Sequence, residues 1–227
     1  MTTRVVAIVS EKGGAGKTTV TSLTAVAAHL AGLDVAIIDL DPQTSAADWA
    51  DDRGTPPEAV AIPPNRLDKL LAELRANGTD LVLIDTPREA GNAGYVAAKA
   101  ADFVLIPFKR GGYDFRALDR TLNVCRLAEK RPHLLLNGIK PGATRIEADA
   151  RQSLTGRDCD VAPVVIHERT AYETASITAR TPQETEPGSA AAAEIEALFV
   201  WLAGQLELST TPQHDKVATP QSDIEAA

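Results

Sequence analysis

Short apolar runs recur along the chain, separated by stretches long enough to hold one helix each. Val5-Val6-Ala7-Ile8-Val9, VAIID at 35–39, LVLIDTP at 81–87, FVLIP at 103–107, LLLN at 134–137 and the weaker VAPVVI at 161–166 carry almost no polar alternation. Runs of this kind predict strands buried on both faces. Between them, helical spacing appears over 17–31, about 66–77, 95–101, about 114–131, 144–154 and 189–206. Gly32 stops the first of these helices, and Ser189, after Pro187-Gly188, is placed to cap the last. Thr144 with Glu147 three residues on has the capping-box pattern. TPPEAVAIPPN, after the second strand, reads as a proline-bearing loop. No internal repeat is present. The alternation predicts an α/β fold, a mostly parallel twisted sheet with helices on both faces. It spans residues 1–206, and the polar, acidic stretch 207–227 predicts a disordered tail.

Composition narrows this picture. With 227 residues, 44% apolar but only 4% aromatic, the chain suits one domain whose core is built from Ala, Val, Leu and Ile. A net charge of −8 argues against nucleic acid as a partner, yet the charge is unevenly spread. Residues 109–157 hold eleven Lys and Arg against five Asp and Glu, a net of +6. Cys125 and Cys159 have no Cys or His companion at metal-ligand spacing and read as reduced structural thiols. No signal peptide precedes Val5 and no apolar run reaches a membrane span, so the expectation is a soluble, cytoplasmic protein.

The chemistry is concentrated after the first strand, in SEKGGAGKTT at 10–19. Gly13, Gly14 and Gly16 let the backbone turn tightly, so that N–H groups around Ala15 converge at a helix start and form a nest for phosphate. Lys17 is placed for the β/γ-phosphates, the Thr18 hydroxyl for Mg²⁺, and Thr19 completes the loop. The general phosphate-loop pattern has its first glycine where this chain has Glu11, and Lys12 adds a second lysine ahead of the glycines. Two other strands end in carboxylates, Asp39-Leu40-Asp41 and Asp85. A strand-end aspartate alone is usually a turn or helix cap, but two beside such a loop suit a site for phosphoryl transfer.

KGGAGKTT resembles the deviant Walker A signature K-G-G-x-G-K-[ST] of the ParA/MinD class of P-loop ATPases. DLDPQ and the apolar-DTP motif follow in the same order, and the resemblance runs to about Leu206. It implies ATP and Mg²⁺ as cofactors and an ATP-dependent homodimer, with Lys12 reaching the partner's nucleotide. It gives Asp41 the attacking water, Asp39 a place near the metal and Asp85 a supporting role behind the metal. Asn137 is either an adenine contact, as in family members, or a turn former. Relatives that bridge a metal cluster do so with cysteines in glycine-rich surroundings, whereas Cys125 sits in the helical NVCRLAEK.

The most similar subclass is the ParA-type partition proteins. The implied function is plasmid or chromosome segregation, on non-specific nucleoid DNA and with a ParB-like adaptor that stimulates hydrolysis. On the basic helix, Phe115, Leu118, Leu122 and Cys125 form a core stripe, and Arg116, Arg120 and Lys130 fall opposite as a candidate DNA face. Arg169 and Arg180 in the C-terminal block are a rival location favoured by the resemblance. The chain departs from the family at Arg88-Glu89, at Lys109–Asp114 and at Ala179-Arg180, which leaves the subfamily open. A MinD-like positioning ATPase is the nearest alternative, but the tail lacks a basic amphipathic membrane helix. A dethiobiotin synthetase-like ligase is a further alternative, opposed by Lys12 and by the DLDPQ motif.

Overall fold

The computed structural model describes residues 2–88, 91–109 and 114–209. Its strands are β1 (Arg4–Ile8), β2 (Val35–Asp39), β3 (Glu58–Ala61), β4 (Leu81–Asp85), β5 (Phe103–Phe108), β6 (His133–Ile139) and β7 (Asp160–His167). They form one sheet in the order β3-β2-β4-β1-β5-β6-β7, every neighbouring pair parallel. The chain builds first to one side of β1 and then to the other. The crevice past the carboxyl end of β1 is therefore the switch point at which open parallel sheets bind ligands. Register fixes what stands there, since Ile8 and Asp39 are both level with Asp85.

The helices are α1 (Lys17–Leu30), α2 (Ser45–Arg53), α3 (Leu67–Asn77), α4 (Gly91–Ala100), α5 (Asp114–Leu127), α6 (Thr144–Leu154), α7 (Thr170–Thr178), α8 (Pro182–Thr185) and α9 (Ala190–Leu206). Side-chain alternation along β1 divides the core. Val5 and Ala7 point into a layer closed by α3, α4, α5 and α6, while Val6 and Ile8 point into one closed by α1, α7 and α9. Both faces of each inner strand are covered, which is why those strands read as unbroken apolar runs.

Several boundaries differ from the sequence expectation. The proline-bearing stretch contains β3, an edge strand with one half-buried and three exposed residues, so no apolar run announces it. α5 ends at Leu127 rather than 131, and its last turn closes through Lys130 N donating to the Cys125 carbonyl. Thr144 is not a cap; it is the first residue of α6, and Glu147 pairs with Arg151 at 3.0 Å instead of reaching back. Ser189 does cap α9, accepting from Ala192 N at 3.1 Å. Leu208 packs against the α1–α9 layer, so the fold continues two residues into the expected tail, and residues 210–227 lie outside the described residues. Cys125 is buried within α5 as its helical context predicts, and burial pushes its thiol pKa up to about 12.

α2 is fastened to the C-terminal block by one buried cation. Arg53, whose side chain is 3% exposed, donates two 2.7 Å hydrogen bonds to Glu184 of α8 and a 3.1 Å bond to the Ala179 carbonyl. Burial alone would raise the Glu184 pKa. The bonds from Arg53 and from Thr181 N outweigh it and hold the carboxyl at about 2. Glu184→Ala leaves the guanidinium buried without its counter-charge and is expected to lower stability by about 3 kcal/mol. Because the folded pKa is depressed, this contribution is complete above the ordinary value of 4.5 and is lost as pH falls towards about 2. Urea titrations at pH 7 and pH 3 check both points, with a smaller wild-type-to-variant difference expected at the lower pH.

Candidate active site

Backbone conformation shapes the loop between β1 and α1. Gly14 and Gly16 have φ of 72° and 89°, a region that only glycine enters freely. Space is equally restrictive, because a Cβ on Gly16 would stand 2.4 Å from Asn137 Nδ2. Asn137, near the end of β6, donates through that nitrogen to the Ala15 carbonyl at 2.7 Å and clamps the loop from across the sheet. Gly13 lies under Arg88, whose Cδ would be 3.1 Å from an added Cβ. The backbone N–H groups from Gly13 through Thr19 donate to no acceptor among the described residues. Consecutive unpartnered donors at a helix start make a cradle whose complement is an anion.

The charged groups fit that reading. Lys17 is only 7% exposed, and its Nζ donates to the Ser10 carbonyl at 3.2 Å. Burial lowers its pKa, opposed by the nearby Asp85 and Asp41 carboxylates. Asp85 is 1% exposed, and burial raises its carboxyl to about 7, against the stabilising Thr18 and Lys17. Thr18 Oγ1 donates to Asp85 Oδ2 at 2.6 Å, which leaves the hydroxyl oxygen's lone pairs free for a cation. Among the described residues no three His, Cys, Asp or Glu side chains group as a metal site. A cation here would draw on Thr18, water and phosphate oxygens, which is the habit of Mg²⁺ rather than of metals needing a full protein cage.

The two aspartates of DLDPQ separate in function. Asp39, fully buried, accepts from Asp41 N at 2.8 Å through one oxygen and from Ala46 N and Ala47 N at 2.8 and 3.2 Å through the other. Burial raises its pKa while those three N–H groups lower it. Both oxygens are thus occupied in shaping the loop and the start of α2. Asp41 accepts only from Gln43 N at 3.0 Å among the described residues, and its carboxylate remains open towards Lys17. The intervening loop ends at Thr44, a β-branched residue at φ 52°, whose hydroxyl donates to Asp48.

Lys12 is half-buried at the rim, with Nζ 3.4 Å from the Lys109 carbonyl. Residues without an assigned role in the motifs also build the site. Thr121 of α5 accepts from Glu11 N at 3.0 Å, Glu11 accepts from Gly91 N at 3.0 Å, and Thr86 Oγ1 donates to the Ile8 carbonyl at 2.8 Å. Thr86 was visible inside the DTP motif; Thr121 had no sequence signal at all.

The basic candidates are dispersed. Arg116 and Arg120 are exposed on α5 and make no ion pair among the described residues, although Asp119 between them pairs with Arg157. Lys130 lies beyond the end of α5, with Nζ donating to the Ala101 carbonyl at 2.6 Å, so it does not extend that face. Arg169 is held by Glu194, together with His167 and Tyr172. Arg180, 46% exposed, lies 3.7 Å from Glu184. Arg131, Arg151 and Arg157 of the basic segment are likewise paired with acids.

A parallel sheet with this loop after β1, a buried lysine, and aspartates at neighbouring strand ends defines a P-loop nucleotide-binding protein of α/β fold. The chain belongs to the CobQ/CobB/MinD/ParA nucleotide binding domain family, whose model matches residues 6–182. It is similar to the maintenance of carboxysome distribution protein A of Gloeobacter kilaueensis, at 34% identity over 77% of this chain and 83% of that one. It is also similar to the sporulation initiation inhibitor protein Soj of Bacillus subtilis, at 27% identity over 66% of this chain and 75% of the relative. Among solved structures, the MinD cell division protein of Aquifex aeolicus superposes with a TM-score of 0.73, covering 88% and 97% of the two chains at 21% identity. That likeness supports the fold.

Proposed function

We propose that this protein is a Mg²⁺-dependent ATPase of the ParA kind, which dimerises on ATP and positions a cargo by cycling on and off non-specific DNA. The observation that carries this reading is one loop holding both a buried lysine, Lys17, and a second lysine, Lys12, at its rim. The N–H groups of Gly13–Thr19 and Lys17 would hold the ATP phosphates, and Thr18, backed by Asp85, would hold Mg²⁺. When bound, the metal supplies neutralisation of charge on the phosphate oxygens. Asp41 orients the attacking water, and Asp39 holds the loop that carries Asp41. Asn137, fixed beside the loop, is the candidate neighbour for the base.

A lysine at the rim suits action on a second copy's nucleotide. Lys12→Ala is expected to change ATP affinity less than about threefold while weakening ATP-dependent dimerisation about tenfold, since one exposed charge-assisted contact is removed. Light scattering with a non-hydrolysable ATP analogue measures this, and a wild-type protein that stays monomeric would remove its basis.

DNA is the partner proposed for the exposed α5 face. The Arg116→Glu/Arg120→Glu variant is expected to bind non-specific duplex about tenfold more weakly in low salt, with a shallower salt slope and unchanged ATP affinity. Filter binding with ATP present reads this directly; wild-type affinity would move the DNA face elsewhere, with Arg180 the more accessible of the two C-terminal arginines. The functional test is ATP turnover with and without non-specific DNA and with a ParB-like adaptor.

A second reading of the cargo has its own support, since a relative at 34% identity is named for carboxysome distribution. Crosslinking of the ATP-bound dimer to its adaptor decides between the two. An adaptor that binds a DNA site marks plasmid or chromosome segregation; one that binds a protein assembly marks a protein body. No helix among the described residues is long and apolar enough to cross a membrane, and a cytoplasmic, nucleoid-associated location is part of the proposal.

A further inference from the structure

Arg88, the residue after the DTP motif, stands where the chain departs from family members. Its side chain lies across the phosphate loop. A Cβ added to Gly13 would meet Arg88 Cδ at 3.1 Å, Nε at 3.5 Å and Cγ at 3.7 Å, so the bare glycine is what lets the arginine pass. Arg88 is exposed and makes no hydrogen bond or ion pair among the described residues, which leaves all five N–H donors of the guanidinium open. Its charge nevertheless reaches Lys17, disfavouring the ammonium that Asp85 and Asp41 favour. Residues on either side of Arg88 are tied to the strand and loop that form the cradle. Thr86 Oγ1 donates to the Ile8 carbonyl at 2.8 Å, and Gly91 N donates to Glu11 at 3.0 Å. Sheet order shows which end of a nucleotide Arg88 faces. Asn137, the candidate neighbour of the base, comes from β6 on one side of β1. Arg88 follows β4 on the other side, where Asp85 and, beyond β2, Asp41 also stand.

We propose that Arg88 donates to the terminal phosphate of the nucleotide held in its own subunit's loop, and neutralises charge there during hydrolysis beside Lys12 of a second copy. This role rests on the ATPase reading of the site and adds to it a group that tells ATP from ADP. An arginine suits the task, because its planar fork gives two parallel bonds to phosphate oxygens where a lysine acts as a point charge. Arg88 differs from Lys12 in needing no partner. It lies against Gly13 of its own chain, so the contact forms in the monomer.

Titration of the full chain with a non-hydrolysable ATP analogue and with ADP, both with Mg²⁺, reads this contact without relying on turnover. Arg88→Ala is expected to weaken binding of the analogue about tenfold and of ADP less than about threefold. Single-turnover hydrolysis at saturating ATP should fall about a hundredfold, less than for a lone arginine finger because Lys12 shares the charge. Arg88→Lys should bring analogue affinity back to within about threefold of wild type but leave turnover low, since the charge returns without the fork. The affinity loss is expected again in the Lys12→Ala background, where dimers are weakened. Wild-type affinity of Arg88→Ala for both nucleotides would overturn the proposal. Equal losses for ATP analogue and ADP, with a lower melting temperature, would also overturn it by making Arg88 a support for the loop. A loss that vanishes in the Lys12→Ala background would do the same, because Arg88 would then serve the partner's nucleotide. A wild-type protein that binds neither nucleotide would instead remove the ATPase reading itself, and this role with it.

Discussion

Replacing Lys17 with alanine abolishes measurable ATP binding, an expected loss of about a hundredfold or more in affinity. The reason lies in how the lysine is kept. It is 7% exposed, burial lowers its pKa, and its one hydrogen bond is to the Ser10 carbonyl, a neutral acceptor. Asp85 and Asp41 lie near this ammonium, but only one of its three N–H donors has an acceptor among the described residues, and phosphate oxygens are the complement of the other two. The same reasoning predicts that the variant folds, because a desolvated cation with a weak partner contributes little to stability. Fluorescent-nucleotide titration and a thermal melt of the nucleotide-free protein test the two halves together. An ATP affinity within about threefold of wild type would refute the assignment of the loop.

Asp41→Ala is expected to do the opposite, keeping ATP affinity within about threefold of wild type while turnover falls about a hundredfold, within the range seen for positioned acid–base groups. Among the described residues its carboxylate accepts one bond, from Gln43 N, so little structure depends on it. Asp39 provides the contrast. Its oxygens accept three N–H groups from the loop and from α2, so Asp39→Ala should lose thermal stability together with turnover. Single-turnover hydrolysis beside equilibrium nucleotide binding separates these cases. Undiminished turnover in Asp41→Ala would place the water-orienting role on another group.

Much of the frame was legible in the sequence because it is written in local signals. Six apolar runs marked six of the seven strands, and the loop, DLDPQ and DTP motifs marked the carboxyl ends of β1, β2 and β4. What escaped depended on partners far away in the chain. β3 has mostly exposed residues and owes its strand form to pairing with β2, which no local pattern reports. α2 was not anticipated, since Ser45–Arg53 is short and largely polar and is held by Ala46, Trp49 and Ala50 packing inward. Asn137 offered two readings, base contact or turn former, and the structure adds a third role as a clamp on Ala15, 122 residues away in sequence. The charge excess of residues 109–157 suggested a broad basic surface. Pairing of Arg131, Arg151 and Arg157 with acids, and the turn of Lys130 towards Ala101, take four of its eleven cations out of that surface.

Thr44 sits where the loop after Asp41 meets α2, at φ 52° and ψ 25°. For a β-branched residue that conformation lies about 1–2 kcal/mol above its right-handed alternative. The Asp39 bonds to Ala46 and Ala47 and the Thr44–Asp48 contact hold the residue there. The loop next to the Asp41 carboxylate is therefore a loaded spring with a small, definite preload. Any rearrangement that returns Thr44 to negative φ begins with roughly a five- to thirtyfold advantage in population, before a single new contact is counted.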